Sequence, residues 1–333
     1  MKAIFLCETT SKIYKVYDAA SRAALLSLVG LEDTVYTRAE LLADPARFRE
    51  VEMIFSTWGM PTLTEEEIAT TLPHLRALFY AAGSVQAFAR PFLARGIRVF
   101  SAAAANAVPV AELTVAEIIL ANKGFYRTSR LYREQGFGVA YPAFGRLPGN
   151  YGETVGIIGA GMIGKLVIRM LRAYHLRVIV FDPFLSDEAA GELGVEKCSL
   201  HEVFRRALVV SNHLANNEHT VGMLDGECFR LMRENAVFLN TGRGAQVVED
   251  DLVQILRERE DLTAVLDVTY PEPPVAGHPF YTLANCILTP HIAGSAGDEV
   301  ARMGLYMTED CRAFTAGEPV LYEVTAAMLE TMA

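Results

Sequence analysis

The sequence predicts an α/β protein built on two parallel sheets. Short β-branched or aromatic runs alternate with longer helical patterns, the alternation falls into two blocks, and the second block opens with a strand, a glycine-rich turn and a helix. A chain of 333 residues exceeds one average domain of ~150 and suits two. Hydrophobic residues make up 51% and charged ones 21%, a balance that fills a large core and leaves no long disordered tail. With 30 Lys+Arg against 40 Asp+Glu the net charge is −10, so the surface repels a phosphate backbone and no nucleic-acid partner is expected.

The first block offers strands at Ala3–Cys7, Thr34–Thr37, Met53–Ser56, Ala77–Ala81 and Arg98–Ser101, with helical segments between them. A helix follows over Val108–Asn122, with Pro109 in its first turn and Glu112 early in it, as helix starts prefer. The Gly/Pro/Tyr-rich stretch Gly136–Gly152 reads as a long surface loop. Strands of the second block are expected at Thr154–Ile158, Val178–Phe181, Leu208–Ser211, Val237–Asn240, Ala264–Asp267 and Cys286–Thr289. Their near-continuous apolar character suits strands covered on both faces. The tail Asp298–Phe314 reads as a helix that buries Met303, Tyr306, Met307 and Phe314.

Ser101–Ala121 is the longest weakly polar stretch, but Asn106, Pro109, Glu112 and Glu117 interrupt it, so it reads as a buried helix and not a membrane span. The apolar run Ala3–Cys7 is too short for a signal peptide and is followed by Glu8. Five scattered cysteines without a C-x-x-C pair suit reduced thiols in a cytoplasm. His74, His175, His201, His213, His219 and His278 show no ligand spacing, so no metal is expected.

The strongest local signal runs from Thr154 to Val167: an apolar strand, then Gly159-Ala-Gly161-Met162-Ile163-Gly164, then an apolar helix. Gly159 permits a tight turn, Gly161 lets the backbone approach a pyrophosphate, and Gly164 lets helix and strand pack. The helix amino terminus, Met162 and Ile163, faces the anion. The next strand ends at Asp182, 18 residues beyond Gly164 and close to the ~20 expected of a carboxylate that accepts hydrogen bonds from the adenosine ribose. A carboxylate there repels a 2′-phosphate, which favours NAD over NADP, with Lys165 and Arg172 as the cations able to moderate that repulsion.

Ligands of open parallel sheets gather outside the carboxyl ends of the strands. Three such ends carry Thr241-Gly242-Arg243-Gly244, Asp267 to Glu272-Pro273, and Pro290-His291. An arginine between two glycines is free to fork onto a substrate carboxylate, and equally reads as a surface residue of a turn. A histidine with a nearby carboxylate is the usual way to present a proton to a carbonyl oxygen near neutral pH. Singly, His291 reads as well as a core histidine and Glu272 as a solvated loop residue. Trp58 after the Met53–Ser56 strand, and Tyr281, read either as pocket walls or as packing residues.

Together these segments resemble the D-isomer-specific 2-hydroxyacid dehydrogenase family, the group of phosphoglycerate and glycerate dehydrogenases. The resemblance rests on GIIGAGMIG with Asp182, on LNTGRGAQVVEDDLV from Leu239, on LDVTYPEPP from Leu266, and on HPFYTLANCILTPHIAG from His278, all in the family's order. It covers most of residues 80–295. It implies two doubly wound parallel-sheet domains, a Rossmann-type NAD-binding domain of residues 105–293 inserted in a flavodoxin-like substrate domain of residues 1–104 and 294–333. It further implies reversible hydride transfer between NADH and a 2-oxo acid, yielding the 2-hydroxy acid, with closure of the domains excluding water.

By resemblance Arg243 binds the substrate carboxylate, His291 is the acid/base and Glu272 keeps it protonated. Asp267 lies near the nicotinamide carboxamide, Thr241 beside the cofactor, and His213 on the adenine side, with Ala215 where the family commonly has proline. Gly83-Ser84-Val85 resembles the loop whose backbone N–H groups hold the carboxylate. It departs from the family in Gln86-Ala87-Phe88, and Ala104-Ala105 stands where Pro-Gly usually precedes Asn106. No basic cluster accompanies Gly83, which counts against a phosphorylated substrate. The family is commonly dimeric, so a homodimer is expected. Formate or phosphite oxidation is a second reading, which the His–Glu pair counts against, since formate dehydrogenases place Gln where Glu272 stands. An NAD-sensing protein like the corepressors of this fold is a third, which would be expected to show a disordered or peptide-docking extension that the composition does not suggest.

Overall fold

The structure, a computed structural model, describes residues 1–330. It contains two compact units, one of Met1–Asn106 with the segment from Ser295 onward, the other of Ala107–Gly294. In chain order the strands are β1 (Lys2–Leu6), β2 (Gly30–Tyr36), β3 (Val51–Ser56), β4 (Ala77–Tyr80), β5 (Arg98–Ser101), β6 (Tyr151–Ile158), β7 (His175–Phe181), β8 (Glu196–Lys197), β9 (Val209–Asn212), β10 (Val237–Asn240), β11 (Thr263–Leu266), β12 (Cys286–Leu288) and β13 (Glu323–Val324).

The first unit carries a six-stranded sheet ordered β13-β5-β4-β3-β1-β2. Alternate residues of its strands feed two buried clusters. Ile4, Leu6, Ile54 and Leu78 enter one, Ala3, Phe5, Phe55 and Phe79 the other, so both faces are covered and the runs read as continuously apolar. Phe55, Phe79 and Phe100 stack in file across β3, β4 and β5, at 5.1 and 4.6 Å between ring centroids. The sheet is not wholly parallel. β13 runs antiparallel to β5, setting Val324 opposite Val99, and Arg98 grips Glu323 through two bonds of 2.7 and 2.6 Å. The tail helix Val300–Ala316 buries Met303 and Met307 and half-buries Tyr306 and Phe314 against the second cluster.

The second unit carries a seven-stranded, all-parallel sheet ordered β12-β11-β10-β9-β6-β7-β8. Its direction of winding reverses between β6 and β9, the place where ligands of doubly wound sheets bind. Two expectations are corrected here. The helix expected over Val108–Asn122 runs over Ala103–Asn122, with Pro109 inside it. Alanines at 103, 104, 105 and 107 are strong helix formers that carry the helix back through the proline despite the donor it removes and the crowding of its ring. Gly136–Gly152 is not all loop, because Phe137–Phe144 is helical. It follows the helix Phe125–Gln135 across Gly136, whose φ of +79° ends one helix and starts the next, and Phe137 stacks on Tyr141 at 5.0 Å.

Candidate active site

The glycine turn after β6 divides its labour by space. At Gly159, with φ +90°, a Cβ would lie 2.8 Å from the His213 carbonyl, so this residue must be glycine for β6 and β9 to bring their turns together. A Cβ on Gly164 would fall 2.0 Å from the Gly159 oxygen, whereas one on Gly161 would meet nothing within 4 Å. The space in front of Gly161 is thus open to a ligand. No side chain caps the helix Met162–Leu171 that begins there, which leaves its first N–H groups to an anion.

Asp182 follows β7 and is already bonded. Its Oδ2 accepts from Ala160 N at 2.6 Å, and its Oδ1 from Phe184 N and Leu185 N at 2.7 and 3.1 Å. It therefore ties its own turn to the glycine turn while keeping lone pairs for a ribose hydroxyl. His213, at the end of β9, donates its backbone N–H to Ile158 O at 2.7 Å. Its ring is buried, with Nε2 2.9 Å from Ser211 Oγ and Nδ1 without a partner, and burial pushes the imidazole down to about 4. It is neutral at physiological pH.

Arg243 sits in the turn after β10, half-buried, with Nη1 donating to the Gly242 carbonyl at 2.8 Å. Burial lowers its guanidinium below the usual range, and the charge of Glu272 opposes that shift. Gly244 beside it is packed so closely that a Cβ would lie 2.0 Å from the Thr269 carbonyl carbon. That missing side chain lets the arginine turn lie against the segment leading to Glu272. Thr241 is buried and its hydroxyl pairs with Thr114 Oγ1 at 3.0 Å, which ties the turn to the helix Ala103–Asn122.

Glu272 and His291 meet: Nδ1 of the imidazole lies 2.6 Å from Oε1 of the carboxylate, and both side chains stay nearly half exposed, at 46 and 42%. A carboxylate on Nδ1 fixes the proton there and leaves Nε2 facing outward. His291 has φ +55°, a left-handed conformation rare outside glycine. It is held there because its N–H donates to Asp267 O and Thr289 O, both at 3.0 Å. Asp267 is itself buried, and its carboxylate accepts from Thr289 Oγ1 (2.6 Å), Ile292 N (2.8 Å) and Ala293 N (2.9 Å). Its evident work is to shape the turn that aims His291.

Sequence reasoning singled out Tyr281 but missed the other supports behind these residues. Glu249 accepts from Tyr270 N at 2.7 Å and Tyr281 donates to Pro274 O at 3.1 Å, so both brace the loop that carries Glu272. Glu117, one turn beyond Thr114, is buried with Oε2 unpartnered, and burial together with the charge of Asp267 pushes it up to about 7. Asn212 and Asn240, each the last residue of its strand, are fully buried. For Asn240 the signal was available as an amide closing an otherwise apolar run.

Residues 115–293, more than half of the chain, match the profile of the D-isomer specific 2-hydroxyacid dehydrogenase, NAD binding domain. The chain belongs to this dehydrogenase family. It is 30% identical over 256 residues to a glyoxylate reductase of Korarchaeum cryptofilum, covering 76% of this chain and 77% of that protein. It is 35% identical over 205 residues to YoaD of Bacillus subtilis, by name a 2-hydroxyacid dehydrogenase, covering 60% of this chain and 59% of that one. The chain thus spans less than two thirds of the length of the Bacillus relative. A phosphoglycerate oxidoreductase from Rhizobium etli superposes with a TM-score of 0.79 at 26% identity, over 98% of each chain.

The family's cofactor is NAD(H), and the open approach at Gly161, the uncapped helix start and the Asp182 carboxylate fit it. In the first unit the loops of interest follow strands. Trp58 lies after β3 beside Gly59, its ring half-buried between the two apolar clusters. Gly83, Ser84 and Val85 follow β4. Gly83 O accepts from Ser101 Oγ at 2.6 Å, Ser84 is exposed, and the Val85 side chain is wholly buried, which leaves only its backbone for any ligand.

Proposed function

We propose that the protein is an NAD-dependent D-2-hydroxyacid dehydrogenase that interconverts a 2-oxo acid and the corresponding D-2-hydroxy acid. The 2.6 Å contact of Glu272 with His291 is the observation that carries this reading. When bound, NADH supplies the hydride that adds to the substrate carbonyl carbon. Arg243 binds the substrate carboxylate through its planar fork and polarises the adjacent carbonyl. His291 gives the Nε2 proton to the carbonyl oxygen as alkoxide forms, and takes it back in oxidation, while Glu272 stabilises the imidazolium. The pair supports a hydroxy acid over formate as substrate.

In this reading Asp182 holds the adenosine ribose, His213 lines the adenine side, and Thr241 and Asp267 stand beside the nicotinamide. Residues 1–104 and 294–333 form the substrate domain, where backbone N–H groups of Gly83, Ser84 and Val85 hold the carboxylate and Trp58 walls the pocket. Two copies pair through the exposed aromatic face of Phe125, Tyr132, Phe137 and Tyr141, a patch that a second copy would cover. Five free cysteines suit the reducing cytoplasm.

The test is to mix purified protein with NADH or NADPH and a panel of unphosphorylated 2-oxo acids and follow loss of reduced-cofactor absorbance, beside His291→Ala. NADH oxidation that disappears in the variant is expected. Tight NADH binding with no oxo acid reduced would count against the reading and leave a sensor, or a substrate outside the panel, as the better account.

A further inference from the structure

We infer that Asn240, Asn212 and Gln246 form a buried amide clamp that positions Arg243 by tying the turn after β10 to the turn after β9. This rests on the carboxylate-binding role proposed for Arg243. All three side chains are fully buried. Asn240 grips the arginine turn from both sides: its Oδ1 accepts from Gly242 N at 3.1 Å and its Nδ2 donates to the Arg243 carbonyl at 3.0 Å. A backbone bonded immediately before and at the arginine fixes the direction in which its side chain leaves the turn, while Nη1 bonds back to the Gly242 carbonyl.

Asn240 is in turn fixed by Asn212, whose Nδ2 donates to Asn240 Oδ1 at 3.0 Å and to Gln246 Oε1 at 2.6 Å. The outer links end on the neighbouring turn, where Asn212 Oδ1 accepts from Leu214 N at 3.2 Å and Gln246 Nε2 donates to Leu214 O at 2.7 Å. The amides thus bond one another and the backbone of both turns, in a dry interior where an unmet partner is costly. Neutral amides do this without placing a competing charge beside the arginine. A carboxylate in place of Asn240 would attract the guanidinium inward and could not donate to the Arg243 carbonyl. Asn240 is therefore a positioning residue: it touches no reacting atom in this arrangement and acts through Arg243.

A double-mutant cycle on substrate-analogue binding tests this. The enzyme–NADH complex is titrated with oxamate, an unreactive analogue of a 2-oxo acid, and NADH affinity is measured separately by fluorescence. Asn240→Ala should weaken oxamate by about tenfold, the scale of one lost hydrogen bond at a charged site, with NADH affinity changed less than about threefold. In an Arg243→Ala background the same substitution should change oxamate affinity by less than about twofold, because the residue it positions is gone.

Equal losses in both backgrounds, or no loss in the single variant, would overturn the clamp, since a merely structural residue weakens the protein without regard to Arg243. If Arg243→Ala itself leaves oxamate affinity intact, the proposed role of Arg243 and the clamp fall together. Additivity with a large Arg243→Ala effect sinks the clamp alone. Should Asn240→Ala not fold, judged by circular dichroism, Gln246→Met removes the outer link at nearly equal volume. Its expected loss is about threefold and non-additive with Arg243→Ala, and an additive or absent loss overturns the inference.

Discussion

The two ends of the seven-stranded sheet are built from the same strands and held by different means. At the carboxyl end the polar side chains are short and buried, and they bond to backbone as well as to one another: Asn212, Asn240, Thr241 and Asp267 shape the turns that carry His213, Arg243 and His291. At the amino end they are long and, apart from the buried Glu153, partly exposed, and they pair as ions. Arg233 meets Glu153 at 2.7 Å and Arg206 grips Glu196 at 2.6 and 2.7 Å. Short amides lose little rotamer freedom and fix a backbone atom, whereas surface guanidinium–carboxylate pairs are screened by water and salt. The end that must hold a geometry to a fraction of an ångström uses the first kind.

The contrast is broken first at the proposed chemistry. Arg243→Ala and His291→Ala should each lower kcat/KM for the best 2-oxo acid by about 100- to 10,000-fold, and steady-state losses below tenfold would remove the functional meaning of the carboxyl end. The glycine turn comes next. Gly159→Ala, forced against the His213 backbone at positive φ, should cost about 2 kcal/mol or more of stability in thermal melts. Gly161→Ala should leave the melt unchanged yet weaken NADH in a fluorescence titration, because its added methyl meets open space that the pyrophosphate needs.

Acid and base sharpen the comparison, since two oddly titrating groups belong to the carboxyl end. Glu117 holds its proton more tightly folded than unfolded, so its contribution to stability is full below pH 4.5 and is lost as pH rises through about 7. His213 holds its proton less tightly when folded, so its contribution is full above pH 6.5 and is lost as pH falls through about 4. Each is worth up to about 3 kcal/mol. Glu117→Gln should therefore raise Tm more at pH 8 than at pH 5, and His213→Gln should flatten the acid side of the profile between pH 6.5 and 4. The smallest effect belongs to the amino end. Arg206→Ala should cost less than about 1 kcal/mol, shrink further in high salt, and leave turnover alone.

How far the chain could be read depended on how local the signal was. Strands β5 and β10 were legible to the residue, and the glycine turn with them, because apolar runs and glycine spacing are written within a few positions. β8 and β13 were not, since two-residue strands such as Glu196-Lys197 have no pattern to show. The helix Phe137–Phe144 hid behind glycines and a proline that elsewhere mean loop. Motif order pointed to Glu272 and His291 as partners. The amide clamp could not be foreseen, because Asn212 lies 28 residues from Asn240 and 34 from Gln246, and no period links them. Asp267 shows the limit from the other side, since its hydrogen bonds to Ile292 and Ala293 depend on a turn only the fold creates.

The discontinuity of the first unit bears on how the chain is made. Residues 107–294 are contiguous, so a ribosome delivers that unit whole, whereas the unit begun at Met1 waits for the segment from Ser295 onward. Until then β5 is an open edge, with Arg98 lacking Glu323, and Phe79 and Phe100 have no Phe314 against them, because the helix Val300–Ala316 has yet to be translated. For the time needed to add roughly 200 residues, at ~5–20 per second, the nascent chain carries a half-covered apolar sheet beside an inserted unit free to fold. Stalled or truncated synthesis should therefore yield a first unit that sticks to chaperones and a second unit that resists protease.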